Sequence, residues 1–206
     1  KPGAVSLAHR GVLFMDELPE FRRGTIEILR QPLEDKRIHI ARTSGSFVYP
    51  ADFMLVGAMN PCPCGHFPDR NKCTCSETEV KKYLSRISGP ILDRIDVITQ
   101  APRVDIRQLS ATMHNESSAD IRERVMGARE RQNRRYRGTG YHFNAELRAG
   151  DIRTYCPLGT EEQAMMEEIF TIMNLSARAY HKVIKVARTI ADLDGKDDIG
   201  TAHLGE

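Results

Sequence analysis

Between Val12 and Met15 four apolar residues stand together, and the run stops on two adjacent carboxylates, Asp16 and Glu17. A short apolar run bounded by a turn signal suits a strand covered on both faces, as in a parallel α/β sheet. In open sheets of that kind ligands sit beyond the carboxyl ends of the strands, which is where Asp16 and Glu17 would stand. Periodicity then predicts a helix from Pro19 and Glu20 to about residue 34, with Ile26, Leu29 and Leu33 on one side. Residues 37–42 and 46–53 alternate apolar and polar positions around Thr43-Ser44-Gly45, a hairpin signal. Residues 53–60 read as a second buried strand ending on Asn60, 77–88 as a helix and 96–104 as a third short strand. Between them, 62–75 is a cysteine-bearing loop with little regular structure. Strands alternating with helices make this half α/β.

From about residue 107 the pattern turns polar and strand-poor, a linker leading to helices. Ile121, Val125, Ala128 and Gln132 recur at helical spacing between Ser118 and Tyr136. Two further helices are predicted at about 145–155 and 160–174. The last, 177–193, follows Ser176 as N-cap and carries Tyr180, Ile184, Ala187 and Ala191 on one stripe. This half is an all-α bundle, and the expected division is 1–106 and 107–206.

Composition changes this picture little. With 206 residues, 28% charged and 40% hydrophobic, the chain is ordinary for a globular protein. A formal net charge of +2 is too mild to announce a nucleic-acid binder, so any basic surface is local. No run approaches the ~18 apolar residues of a membrane span, and the N-terminus lacks the apolar centre of a secretory signal. The expected compartment is cytoplasmic, with no membrane partner.

Nucleotide hydrolysis by a P-loop protein needs an acidic residue at a strand end to hold magnesium, and a group that orients the attacking water. Asp16 and Glu17 have that arrangement, and Asn60 at the second strand end could touch the same water or the terminal phosphate. Taken alone, Asn60 is a turn former before proline. Cys62, Cys64, Cys73 and Cys75 make two C-x-C pairs separated by eight residues. Four thiolates from one polar loop can close a tetrahedral zinc site. His66 is a substitute ligand; reduced thiols and a disulfide are the alternatives, and a cytosolic setting argues against the disulfide. Cys156 reads as a small buried apolar residue.

Four blocks carry a family resemblance: GVLFMDELPEF from residue 11, LVGAMNPCPCG from 55, LSRISGPILDRID from 84 and SARAYHKVIKVARTIADLDG from 176. Together they resemble the competence-type ComM branch of the magnesium-chelatase-like AAA+ ATPases. The resemblance implies a partial AAA+ (P-loop NTPase) α/β core with a pre-sensor 1 β-hairpin, followed by an all-α helical lid. It implies ATP and Mg2+ as cofactors. Asp16 would be the magnesium-side carboxylate of Walker B, Glu17 the residue that activates water, and Asn60 sensor 1. Arg94 would be the arginine finger offered to a neighbouring subunit, with Arg86 a second candidate for that interface, and Arg178 sensor 2. An arginine suits the finger role because its planar cation has several donors for the charge that phosphoryl transfer spreads over the terminal oxygens. Taken alone, Arg94 reads as one half of a surface salt bridge with Asp93 or Asp96.

The resemblance also implies a homo-oligomeric ring, expected as a hexamer, with the hairpin pointing into its pore. Arg37, His39, Arg42, Thr43 and Ser44 would then contact a DNA phosphate backbone, which positions without reading sequence. The arginines from Arg122 to Arg137 are interrupted by Glu123, Glu130 and Asp120, which suits a solvated, salt-bridged helix face. The phosphate loop G-x-x-x-x-G-K-[ST] is absent. Since the family places it upstream, the chain is expected to be the C-terminal portion of a longer protein, inactive toward ATP by itself and with an exposed sheet edge that invites association. Three functions remain open: a DNA branch-migration helicase, the ATPase subunit of a magnesium-chelatase-type complex, and a non-catalytic zinc-stabilised oligomerisation module.

Overall fold

After one helical turn, α1 (Ala4–Leu7), the chain enters strand β1 (Val12–Met15), whose neighbour is not the next strand in sequence. A 3-10 turn (Leu18–Glu20), helices α2 (Arg23–Ile28) and α3 (Arg30–Asp35), and a hairpin of β2 (Arg37–Arg42) and β3 (Gly45–Pro50) intervene. Strand β4 (Met54–Gly57) then returns parallel to β1, with Val12 opposite Met54 and Met15 opposite Gly57. A parallel return needs a long crossover, which the helices and hairpin supply. The computed structural model describes residues 2–43, 45–101 and 116–206. The chain divides into two compact units, residues 1–98 and 99–206. The expected boundary at 106, the linker from 107 to 115, Ser44, and the side chain of Arg42 lie outside the described residues.

The helix expected to run to residue 34 is two helices that break at Leu29. Pro32 has no N–H to offer the carbonyl of Ile28, so the hydrogen-bond ladder is interrupted there. The core of this unit joins Met15, Leu18, Ile26, Leu29, Ile87 and Ile91, with Leu13, Leu33, Leu55 and Ile95 packed against it. The other face of the strand pair is open: Val12 is 58%, Phe14 61% and Met54 64% exposed. The expectation of strands covered on both faces is therefore corrected, since among the described residues only one face is covered. Residues 96–101 form no strand either, and Val97 and Ile98 are exposed. The rest of that expected strand, 102–104, lies outside the described residues.

Helix α4 (Glu77–Leu84) opens with a capping box, in which the Ser76 Oγ accepts from the Glu79 N–H at 3.3 Å and the Glu79 carboxylate accepts from the Ser76 N–H at 2.8 Å. It ends four residues earlier than the pattern to residue 88 predicts. A separate turn, α5 (Gly89–Leu92), follows with Pro90 in its first turn, where a missing N–H costs nothing.

The second unit is helical: α6 (Ser118–Arg135), α7 (Ile152–Tyr155), α8 (Thr160–Ile172), α9 (Ala177–Leu193) and α10 (Thr201–Gly205). Its core gathers Tyr136, Leu147, Ile152, Cys156, Met166, Ile184, Ala187, Ile199 and Leu204. The helix expected at 145–155 is instead two 3-10 turns, Asn144–Glu146 and Ala149–Asp151, followed by α7. Leu147 and Arg148 are extended between them, which rules out a continuous ladder. The stripe on α6 is only half a core face: Ala128 and Gln132 are buried, whereas Ile121 and Val125 are exposed. On α9, Ser176 accepts from the Ala179 N–H at 3.1 Å as its cap, and Ile184, Ala187 and Ala191 are buried.

Beneath α9 lies a polar network that hydrophobic periodicity does not signal. Asp192, 1% exposed, accepts from Arg135 at 2.9 Å and from Asn144 at 2.9 Å, and pairs with Arg188 at 3.2 Å. Arg188, also 1% exposed, donates to the carbonyls of Asp197 and Lys196 at 2.6 and 2.7 Å. Burial opposes the charge on Asp192, but Arg135 and Asn144 outweigh it and hold the carboxyl below the ordinary aspartate range. No described helix is long and apolar enough to cross a membrane.

Candidate functional site

The parallel register brings the two strand ends out at one edge. Beyond Met15 and Gly57 the backbones stay joined: the Ala58 N–H donates to the Met15 carbonyl and the Leu18 N–H to the Ala58 carbonyl, each at 2.9 Å. Asp16 and Glu17 are thereby looped out between two ladder bonds, and both are exposed. The Asp16 carboxylate accepts from the Glu17 N–H at 2.9 Å, and Glu17 takes a left-handed backbone, φ 50° and ψ 44°. A non-glycine residue in that region carries strain of about 1–3 kcal/mol, which the flanking ladder bonds sustain.

Asn60 leaves the same edge three residues after Gly57 and is exposed. Its side chain lies beside Gly65: a Cβ at that glycine would stand 3.9 Å from the Asn60 Oδ1. Tyr83 of α4, 5% exposed, senses both strand ends. Burial pushes its phenol up, Glu20 and Glu17 add to that, and Arg86 and the Asn60 backbone N–H pull the other way. The parallel register of β1 and β4 is what sets Glu17 and Asn60 beyond the same end of the sheet. Arg86 stacks over the Tyr83 ring at 5.7 Å and donates to the Pro19 carbonyl at 3.1 Å and to Glu20 at 2.9 Å. A groove of about 440 Å³ adjoins this turn, lined in part by Glu20, Phe21, Arg22, Arg23, Lys82 and Arg86.

Arg94 is held elsewhere. Its guanidinium donates to Glu34 on α3 and to the Pro90 carbonyl at 2.6 Å, its side chain is 13% exposed, and its Nε is buried without a hydrogen-bond partner. Its ion-pair partner is therefore Glu34, sixty residues away, and not Asp93 or Asp96 as its neighbours in sequence suggest. No pattern along the chain signals Glu34. Arg178 is exposed in the first turn of α9, in the second unit. Arg37 and His39 are exposed on β2, with Arg37 opposite Pro50.

The four cysteines of the loop converge. Cys62 to Cys64, Cys64 to Cys73 and Cys62 to Cys73 have sulfur separations of 3.4, 3.6 and 3.8 Å, and with Cys75 all four sulfurs lie within 4.8 Å of one another. Tetrahedral zinc at about 2.3 Å from each sulfur sets the sulfurs about 3.8 Å apart, so the spacing fits the donor set. The Cys64 thiol is held down at about 5, first by the backbone N–H of His66. Burial opposes ionisation of Cys62, but the Phe67 N–H, 3.4 Å away, favours it. His66 is exposed and stands outside the group. Cys156 is buried in the second unit, and burial pushes its thiol up to about 11.

Comparison with known proteins gives this geometry a context. Residues 1–109 match the family described as magnesium chelatase, subunit ChlI, and residues 115–206 that described as magnesium chelatase, subunit ChlI C-terminal. The uncharacterized protein YifB of Escherichia coli (strain K12) is 47% identical over 207 residues, all of this chain and 40% of that protein. Competence protein ComM of Haemophilus influenzae is 43% identical over 207 residues, again all of this chain and 40% of that protein. A magnesium-chelatase 67 kDa subunit of Chlorobaculum parvum is 36% identical over 59 residues, 29% of this chain and 10% of that protein. The chain thus spans about 40% of the length of the first two relatives.

Proposed function

This chain belongs to the magnesium chelatase subunit ChlI family, and on that premise we propose that it is part of a ring-forming AAA+ ATPase that couples ATP hydrolysis to DNA remodelling. The observation that carries the reading is the flush ending of β1 and β4, which delivers Asp16, Glu17 and Asn60 to one edge. There Asp16 would hold Mg2+, Glu17 would take the proton of the attacking water, and Asn60 would orient that water against the terminal phosphate. Arg94 would serve the nucleotide of a neighbouring subunit and Arg178 would close the lid over it. Exposed Arg37, with Arg42, would meet the DNA backbone from the hairpin. The four-cysteine loop fits structural zinc by donor type and by spacing. Taken by itself, the chain is expected to turn over no ATP.

The preference for DNA over a chelatase partner rests on likeness to competence protein ComM across the whole chain. The shorter match to a magnesium-chelatase subunit favours the second reading, an ATPase that remodels a metal-inserting partner. Full-length protein separates the two. DNA-stimulated hydrolysis with branch migration of a junction, both strongly reduced by Glu17→Gln, is the expected result. Stimulation by a chelatase partner and none by DNA would replace the first reading with the second, and hydrolysis under no condition would leave an oligomerisation module.

A further inference from the structure

The four-cysteine loop and the strand end that carries Asn60 are one continuous piece. Asn60 is two residues ahead of Cys62, and Cys75 directly precedes Ser76, the N-cap of α4. Within the loop, Gly65 donates its N–H to the Cys62 carbonyl at 3.0 Å, takes φ +75°, and faces the Asn60 amide with the side on which a Cβ would stand. At the far end of α4, Arg86 grips the Pro19 carbonyl and Glu20, in the turn that follows Glu17. A strap therefore runs from Asn60 through the cysteine loop and α4 to the turn after Glu17. Of residues 61–75 only Cys62 is buried, so apolar packing does little to hold the loop in place.

We propose that a zinc-class metal bound by Cys62, Cys64, Cys73 and Cys75 is a positioning device for hydrolysis: it ties the strand end bearing Asn60 to α4 and so sets the spacing between Asn60 and Glu17. The inference rests on the reading of Glu17 and Asn60 as the hydrolytic pair. Four convergent thiolates exclude oxygen-seeking Mg2+ from the loop and select a soft, four-coordinate cation. Tyr83 adds support, because its phenol lies where it responds to Glu17 and to the Asn60 backbone at once. Closing the metal site thereby orders both ends of the strap without the metal touching nucleotide.

The test uses full-length protein prepared without chelator. One zinc per chain is expected, and cobalt(II) exchanged into the site should show thiolate-to-metal charge-transfer absorption and tetrahedral ligand-field bands, both lost in Cys64→Ser. Withdrawing zinc with a zinc-selective chelator, magnesium kept in excess, should lower kcat for ATP about 10- to 100-fold, as a misplacement of about 1 Å does. The KM for ATP should stay nearly constant, and added zinc should restore kcat. Should Cys64→Ser fail to fold, withdrawal from the natural protein still decides.

Absence of bound metal and of cobalt bands would overturn the proposal, as would full turnover after withdrawal. A loss that comes with unfolding by circular dichroism would also overturn it, since the metal would then hold the fold and not the pair. Asn60→Ala and Glu17→Gln on zinc-loaded protein are the reference. If these hydrolyse ATP normally, the hydrolytic reading itself fails; if they are slow while zinc-free protein is not, only the strap is wrong.

Discussion

Arg94 and Glu34, sixty positions apart, are joined by an ion pair that ties the end of α5 to α3. An arginine that serves a neighbouring subunit must present its terminal nitrogens to that subunit, so on the proposed reading of Arg94 its pairing with Glu34 would compete with the nucleotide for the same group. Arg94→Ala in full-length protein is expected to lower ATP turnover by roughly 10³ to 10⁵. Glu34→Gln, which keeps shape and removes charge, should leave turnover within about tenfold, the factor that about 1.4 kcal/mol represents. Steady-state hydrolysis reads the contrast, and equal losses would assign Arg94 to holding α5 against α3.

Glu17 combines a left-handed backbone with a carboxylate at the strand end. Glycine adopts that backbone without strain, so Glu17→Gly should leave the chain as stable or up to about 1 kcal/mol more stable. The same change should remove hydrolysis in full-length protein, and Glu17→Gln should reduce it about 10²- to 10⁴-fold while ATP still binds. Urea unfolding and turnover measured side by side check the opposition of the two effects. A Glu17→Gly protein that hydrolyses ATP normally would remove Glu17 from the chemistry.

Asp192 should make the helical unit sensitive to acid. Its carboxyl is held below the ordinary range, so its stabilisation is complete above the unfolded value of about 3.9 and is lost as pH falls through the lower folded value. Asp192→Asn leaves Arg188 buried without its counter-charge and should cost about 3 to 5 kcal/mol at neutral pH. Unfolding curves of the two proteins should begin to approach each other below about pH 4 and meet only once the pH is under the lowered folded value, where the natural residue is neutral too. A constant difference down to the lowest pH would mean that the charge of Asp192 plays no part.

The five cysteines should divide by reactivity. Cys156 is 2% exposed with its thiol pushed up to about 11, and the thiolate is the nucleophile, so alkylation at pH 7 should miss it in native protein. Cys64, held down at about 5, should react readily in metal-free protein and be shielded when zinc is added. Mass spectrometry of iodoacetamide-treated protein, with and without zinc, reads the pattern. Equal labelling of Cys64 and Cys156 would contradict the packing of both.

What could be read along the chain was local. A four-residue apolar run, alternation on either side of Thr43, helical spacing from Tyr180 to Ala191, the Ser176 cap and paired C-x-C spacings each depend on neighbours a few residues away. Those features therefore survive into the structure. The acid pair and Asn60 were legible at the strand ends, the resemblance implied their roles, and the parallel register of β1 and β4 sets them at one end of the sheet.

The same reasoning explains what stayed hidden. Periodicity marks an apolar face but not whether anything covers it, so Val12, Phe14, Ile121 and Val125 are exposed where a core was expected. Nor does it foresee that Pro32 breaks a helix at Leu29, or that two extended residues split 145–155 into separate turns. The amino-acid order by itself determined the elements, the candidate strand-end acids and the metal-type cysteine spacing, because these rest on short-range sterics and ligand chemistry. Only the tertiary structure decided that Arg94 meets Glu34, that Arg188 and Asp192 share a buried site, and that Gly65 lies against Asn60. Such pairings depend on how elements dock, and docking is governed by shape and desolvation across the whole unit, which no short window of residues contains.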